Sequence, residues 1–241
     1  MLSKSKWRAT AVITALLALS CSRILPWGRE PGPDHADVNI AFTMDRNLVR
    51  FEQATIDGRE GTILLGSAAP VTVLDEAFSL PPGPNHTLQL RENRTLPLVP
   101  RRADLQGAAD AIVGAEAWGG RALTIDYRSG LLTWQRQGIR TGLMTIFQYQ
   151  NEPTIYVNVN GVDVPAIVDT TSPGTVVLPR RNSGRGTATI TVAGTSFGTI
   201  DVLYADIPKA RVGNLILSRF MVTIDYGRRV VGMWRDPRIP I

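Results

Sequence analysis

The sequence predicts an all-β fold of two lobes, the second a repeat of the first. Three observations carry that expectation. Glycine (22) and proline (16) are plentiful beside an ordinary hydrophobic content of 44%, which suits short strands joined by many turns. Apolar runs rich in β-branched residues are punctuated by Asp-Gly and Asn-Gly pairs. Two distinct segments also recur in the same order, which is the mark of an internal duplication.

The first recurring segment is Ala54-Thr55-Ile56-Asp57-Gly58 followed by Thr62-Ile63-Leu64-Leu65. It matches Val157-Asn158-Val159-Asn160-Gly161 followed by Ala166-Ile167-Val168. A two-residue type I′ turn needs positive φ at both positions, which Asp, Asn and Gly tolerate, so each pair predicts a hairpin. The second segment is Ala111-Ile112-Val113-Gly114 leading to Leu123-Thr124-Ile125-Asp126-Tyr127. Its partner is Ala210-Arg211-Val212-Gly213 leading to Val222-Thr223-Ile224-Asp225-Tyr226.

Both copies continue into apolar strands, at 131–134 and 230–234. The hairpins lie 103 residues apart and the Thr-Ile-Asp-Tyr strands 99 apart, so the copies differ in length by four residues between these anchors. Residues 187–192 alternate as a strand, and helix is confined to a turn or two after Gly114 and Gly213. The expected organisation is a first lobe over 38–135, a connection over 136–150 and a second lobe over 151–241. Two such lobes should pack about a pseudo-two-fold axis.

Ahead of the lobes, Lys4, Lys6 and Arg8 precede the apolar run Ala9 to Leu19, the pattern of an export signal over residues 1–20. The sequence Ala18-Leu19-Ser20-Cys21 resembles a bacterial lipobox, which implies lipidation of Cys21. An ordinary signal peptide ending in an incidental cysteine is the alternative. Residues 21–37, rich in Pro, Gly and charge, read as a tether, which implies a lipid-anchored protein of the bacterial cell envelope. Ser22 after the cysteine is compatible with the outer membrane.

Setting the three signal-peptide charges aside leaves 23 basic against 21 acidic residues, a balance that gives no support to nucleic-acid binding. The Arg-Arg pairs at 101–102, 180–181 and 228–229 read as solvated surface. With Cys21 the only cysteine, no disulfide can form within the chain.

In the second copy an apolar strand runs into Asp169-Thr170-Thr171-Ser172-Pro173-Gly174 and then Thr175-Val176-Val177. With Val212-Gly213, Leu215 to Phe220 and Val222 to Tyr226 downstream, this resembles the catalytic loop and bracing motif of retropepsin-like aspartic proteases. The resemblance covers about residues 153–236, and the first copy repeats it in weaker form over about 48–135. It implies a bilobal acid-protease fold of two β-barrel lobes, with Asp169 and Thr170 as candidate catalytic residues.

Members of that family use two carboxylates that share one proton. The 103-residue offset carries Asp169 onto Gly66, and Pro173 and Thr175 onto Pro70 and Thr72, so the first lobe has no matching acid. Thr171 stands where the family has glycine. Asp75 and Glu76 lie too far along to replace the missing group.

Gly194-Thr195-Ser196-Phe197-Gly198 matches a nucleophile-elbow pattern but reads as a β-turn, since strand follows and no histidine lies downstream. His35 and His86 with one cysteine offer no metal-ligand spacing, and no phosphate-binding glycine loop occurs, so no metal or cofactor is expected. Asp126 and Asp225 read as turn residues, and Trp134 and Trp234 as packing at strand ends.

Three functions follow as expectations. The chain binds extended peptide or protein segments between its lobes as a degenerate protease homologue. Alternatively it is an aspartic endopeptidase using Asp169, through a dyad made in trans or an atypical site. Least favoured is a structural envelope lipoprotein. The sequence leaves the oligomeric state open.

Overall fold

A computed structural model describes residues 37–91, 94–135, 138–139 and 142–238; the expected signal peptide, Cys21 and all of the tether except Asp37 lie outside them. The first copy supplies β1 (Val38–Asp45), β2 (Leu48–Phe51), β3 (Thr55–Ile56), β4 (Arg59–Glu60), β5 (Ile63–Leu65) and β6 (Val73–Asp75). It continues with β7 (His86–Leu90), β8 (Arg94–Leu98), β9 (Arg101–Ala103), β10 (Ala111–Val113), β11 (Ala122–Asp126) and β12 (Leu131–Gln135).

The second copy begins with β13 (Thr145–Gln148), inside the segment expected to connect the lobes. It continues with β14 (Thr154–Val159), β15 (Val162–Val168), β16 (Val176–Pro179), β17 (Gly184–Val192) and β18 (Thr195–Ala205). The last elements are β19 (Ala210–Val212), α1 (Asn214–Leu217), β20 (Met221–Asp225) and β21 (Val230–Trp234). A 3-10 turn at Ala115–Trp118 matches α1 by position, so helix stays within a turn after each of Gly114 and Gly213.

Both hairpin signals hold. Asp57 and Gly58 take φ of 50° and 77°, Asn160 and Gly161 take 51° and 89°, the paired positive values that a type I′ turn requires. The elbow-like pattern differs from expectation. The turn belongs to Ala193 and Gly194 (φ 47° and 77°), and Thr195 already starts β18, so Ser196 lies in a strand. Gly198, at φ 67°, adjoins the register shift between Ile190 and Thr191. Val192 pairs with Thr195 directly across this two-residue turn, which is why the strand begins sooner than the glycines suggest.

The two copies join through β11 and β20, antiparallel neighbours at the middle of the run β13-β21-β20-β11-β12-β1. Thr124 lies opposite Thr223, and their buried hydroxyls are 2.7 Å apart. These are the same residue of the repeat, so the pseudo-two-fold axis runs between them. A self-complementary pairing of this kind is what symmetry about such an axis demands.

Away from the axis the copies diverge. The second closes as a barrel in the order β14-β15-β19-β16-β18-β17. The first keeps the equivalent pairings, with β5 parallel to β10, β10 antiparallel to β6 and β6 parallel to β9. Its long strands are broken, however: β4 and β5 stand where the second copy has β15, and β8 and β9 where it has β18. Pro100, which has no N–H to give, sits in the second break. Strands β4-β3-β7-β8 therefore form a separate four-stranded sheet, while β2-β5-β10-β6-β9 extend the large one.

Each copy has its own apolar core, one around Trp118, Leu123 and Ile125, the other around Ile155, Ile190 and Val222. Tyr127 and Tyr226, another repeat pair, pack against both cores.

Candidate active site

Strands β5 and β15 run toward the axis and end in equivalent loops, Gly66-Ser67 and Asp169-Thr170. The second residue of each loop grips the other copy. The Ser67 hydroxyl donates to the Val168 carbonyl (2.7 Å) and accepts from the Thr170 N–H (3.0 Å). The Thr170 hydroxyl donates to the Leu65 carbonyl (2.7 Å) and accepts from the Ser67 N–H (2.9 Å). Both residues are fully buried. Thr170, a candidate catalytic residue by the Asp-Thr resemblance, spends its hydroxyl holding the loops together.

A second layer supports the grip. The Tyr226 hydroxyl donates to the Ser67 carbonyl at 3.3 Å. The Tyr127 hydroxyl donates instead to Asn214 Oδ1 (2.8 Å), whose Nδ2 donates to the carbonyls of Thr170 and Asn47, each at 2.7 Å. Burial pushes both phenols well above their ordinary range, and at Tyr226 the nearby Tyr149 and Glu116 add to it, so both serve as neutral donors.

Asp169 follows the last residue of β15 and is buried, its side chain 3% exposed. Its Oδ1 accepts from the Thr171 N–H (3.0 Å) and the Thr171 hydroxyl (2.5 Å). Its Oδ2 takes a charge-assisted hydrogen bond from Arg211 Nη1 at 2.7 Å. Arg211 is on β19, which runs parallel to β15 with Arg211 level with Ile167.

The loop is held close to β19 by Gly213. A Cβ there would meet the carbonyl oxygens of Gly174 and Ser172 at 2.5 and 2.6 Å, and the backbone is extended (φ −98°), so it is space that demands glycine. Gly114 is packed in the same way against the backbone of Val71.

On the other side of the axis Gly66 is also closed in. A Cβ added to it would collide with Cγ2 of Ile112 and lie 3.1 Å from Cβ of Ala69. Ile112 is the residue of the first copy that matches Arg211. The two copies therefore fill one place in two ways: a carboxylate with a guanidinium in the second, a bare backbone with an isoleucine in the first. Asp75 is turned to its own loop, accepting from the N–H groups of Ala77 and Leu105.

Arg211 was not singled out from sequence as a site residue. Its signal lay in the repeat, as the one charged residue in Ala-x-Val-Gly where the other copy has isoleucine. The Thr171 side chain caps the carboxylate at the position where the resemblance implies glycine. A shared-proton dyad needs a second carboxylate within hydrogen-bond reach. Among the described residues Asp169 has Thr171 and Arg211 as side-chain partners, and no group of three His, Cys, Asp or Glu side chains is placed to hold a metal.

No protein-family model and no curated protein matches the chain. Among solved structures it is similar to an aspartic proteinase from Irpex lacteus, with a TM-score of 0.53 and 11% identity, over 84% of this chain and 98% of that one. The fold is that of an aspartic-proteinase-like protein, all-β and bilobal.

Proposed function

We propose that this chain is a degenerate relative of the retropepsin-like aspartic proteases that holds an extended peptide or protein segment between its lobes without cutting it. It is exported and anchored to the bacterial envelope through lipidated Cys21. The observation that carries the reading is the company Asp169 keeps: an arginine and a threonine on its oxygens, and across the axis Gly66 instead of a second acid.

Hydrolysis by this fold needs one carboxyl to take a proton from water while the other gives one to the substrate. With one carboxyl missing, one of these two roles is unfilled. The interlobe scaffold, by contrast, is intact in the Ser67–Thr170 grip. Binding of an extended segment by main-chain pairing does not depend on the dyad, so it survives the loss.

The test is a peptide library incubated with the purified chain and with Asp169→Asn from pH 3 to 8. Saturable binding without cleavage is expected from the parent. Cleavage by the parent that disappears in the variant overturns the reading in favour of an active peptidase, and neither binding nor cleavage leaves a structural lipoprotein.

A further inference from the structure

We propose that Arg211 is a carboxylate-recognition residue, taking an acidic side chain or the terminal carboxylate of the bound segment. This rests on the binding reading above and names the chemistry the site selects.

Arginine has five N–H donors in a rigid fork. Among the described residues Arg211 spends one of them, on Asp169, and its side chain remains 41% exposed beside the point where the two loops meet. Asp169 is buried and its oxygens are turned to Thr171 and Arg211, so an incoming ligand meets the guanidinium and not the carboxylate. The contact with buried Asp169 also holds the guanidinium in place. A fork already held in place loses less freedom on binding, and it presents its remaining donors with the geometry that a carboxylate accepts in pairs.

The plainer account is that Arg211 only neutralises Asp169. The chain contains its own control against that account. The first copy builds the same β5–β10 pairing and the same loop with Gly66 and Ile112, without either charge. The scaffold therefore does not require the pair. Buried ion pairs are often matched in stability by apolar replacements, so stability alone does not explain why one is kept here.

The experiment measures binding of capped peptides that differ only in one Glu or Gln, and of peptides with a free or an amidated C-terminus. It uses the full chain, Arg211→Lys, and the double change Asp169→Gly with Arg211→Ile. The double change copies the first lobe, so that no buried charge is orphaned.

A preference of about tenfold for the carboxylate form is expected from the parent, reduced severalfold in Arg211→Lys and absent in the double variant. Preference in the Glu/Gln pair assigns side-chain recognition, and preference in the free/amide pair assigns terminal recognition. Binding without any such preference overturns this inference and leaves the binding reading standing. Binding of no peptide overturns that reading. A second readout is independent of peptides: the Arg211 Nε–H resonance should move on titration with succinate and not with chloride at equal ionic strength. An unmoved resonance also sinks the assignment.

Discussion

Ser67 and Thr170 hold each other across the pseudo-two-fold axis, each hydroxyl donating to a carbonyl of the other copy and accepting the N–H of the other residue. They are the same position of the repeat. The residue just before each differs, glycine in one copy and aspartate in the other. The hydroxyl grip is thus common to both copies, while the residue before it is not.

Thr170→Val leaves the Leu65 carbonyl and the Ser67 N–H buried without partners. A loss of about 2–4 kcal/mol in unfolding free energy is expected, since each orphaned group carries its own desolvation cost. Denaturant titration with an unchanged m-value measures it. A loss below about 0.5 kcal/mol, the range of ordinary surface substitutions, contradicts the grip.

Arg211→Ile alone strands the Asp169 carboxylate in the interior and should cost about 3–5 kcal/mol. Adding Asp169→Gly should return most of that, giving a coupling energy of about 2 kcal/mol or more in a double-mutant cycle. Additive costs in the cycle show that the two side chains are energetically independent.

Gly66→Asp does not rebuild a dyad. Its Cβ meets Ile112, and its charge enters a buried loop where, among the described residues, Ile112 stands in the place of Arg211, so stability should fall by about 3 kcal/mol or more. Pairing it with Ile112→Arg should recover part of the loss by transplanting the arrangement of the second copy. Thermal unfolding of the single and double variants reads both effects, and a stable single variant refutes the clash.

Asp57 lies in the turn between β3 and β4 and accepts from His86 Nδ1 (2.6 Å) and the Thr87 N–H (2.8 Å). Burial raises its carboxyl, but these two hydrogen bonds and the charge of His86 outweigh it and hold the group below its ordinary value of 3.8. A depressed folded value contributes stability that is complete above about pH 3.8 and fades as pH falls through the folded value. Asp57→Asn keeps a residue that tolerates φ of 50° and removes the charge. The stability gap between parent and variant should be full at pH 6 and narrow at pH 3. A gap that widens toward pH 3 contradicts the assignment.

Much of the fold was legible because it is encoded locally. Asp57-Gly58 and Asn160-Gly161 specify their turns through φ alone, and Thr124 and Thr223 show in the sequence as one strand written twice. The start of β18 at Thr195 is also local, set by the two-residue turn at Ala193 and Gly194. The division of the first copy into two sheets is tertiary, since it depends on how far strands can run before proline or a lost partner interrupts a ladder.

By itself the sequence determined that the chain is a repeat of short strands and that Asp169 faces a glycine at the matching place. What only the tertiary structure decided is whom those residues touch. Arg211 lies 42 residues from Asp169 and reaches it because β19 lies parallel to β15 in one register. Ser67 and Thr170 lie 103 residues apart and meet because β11 and β20 pair about the axis. Contacts of that range arise from the register between strands, and no local pattern of side chains carries them. In this protein they turn a lone aspartate into one half of an ion pair.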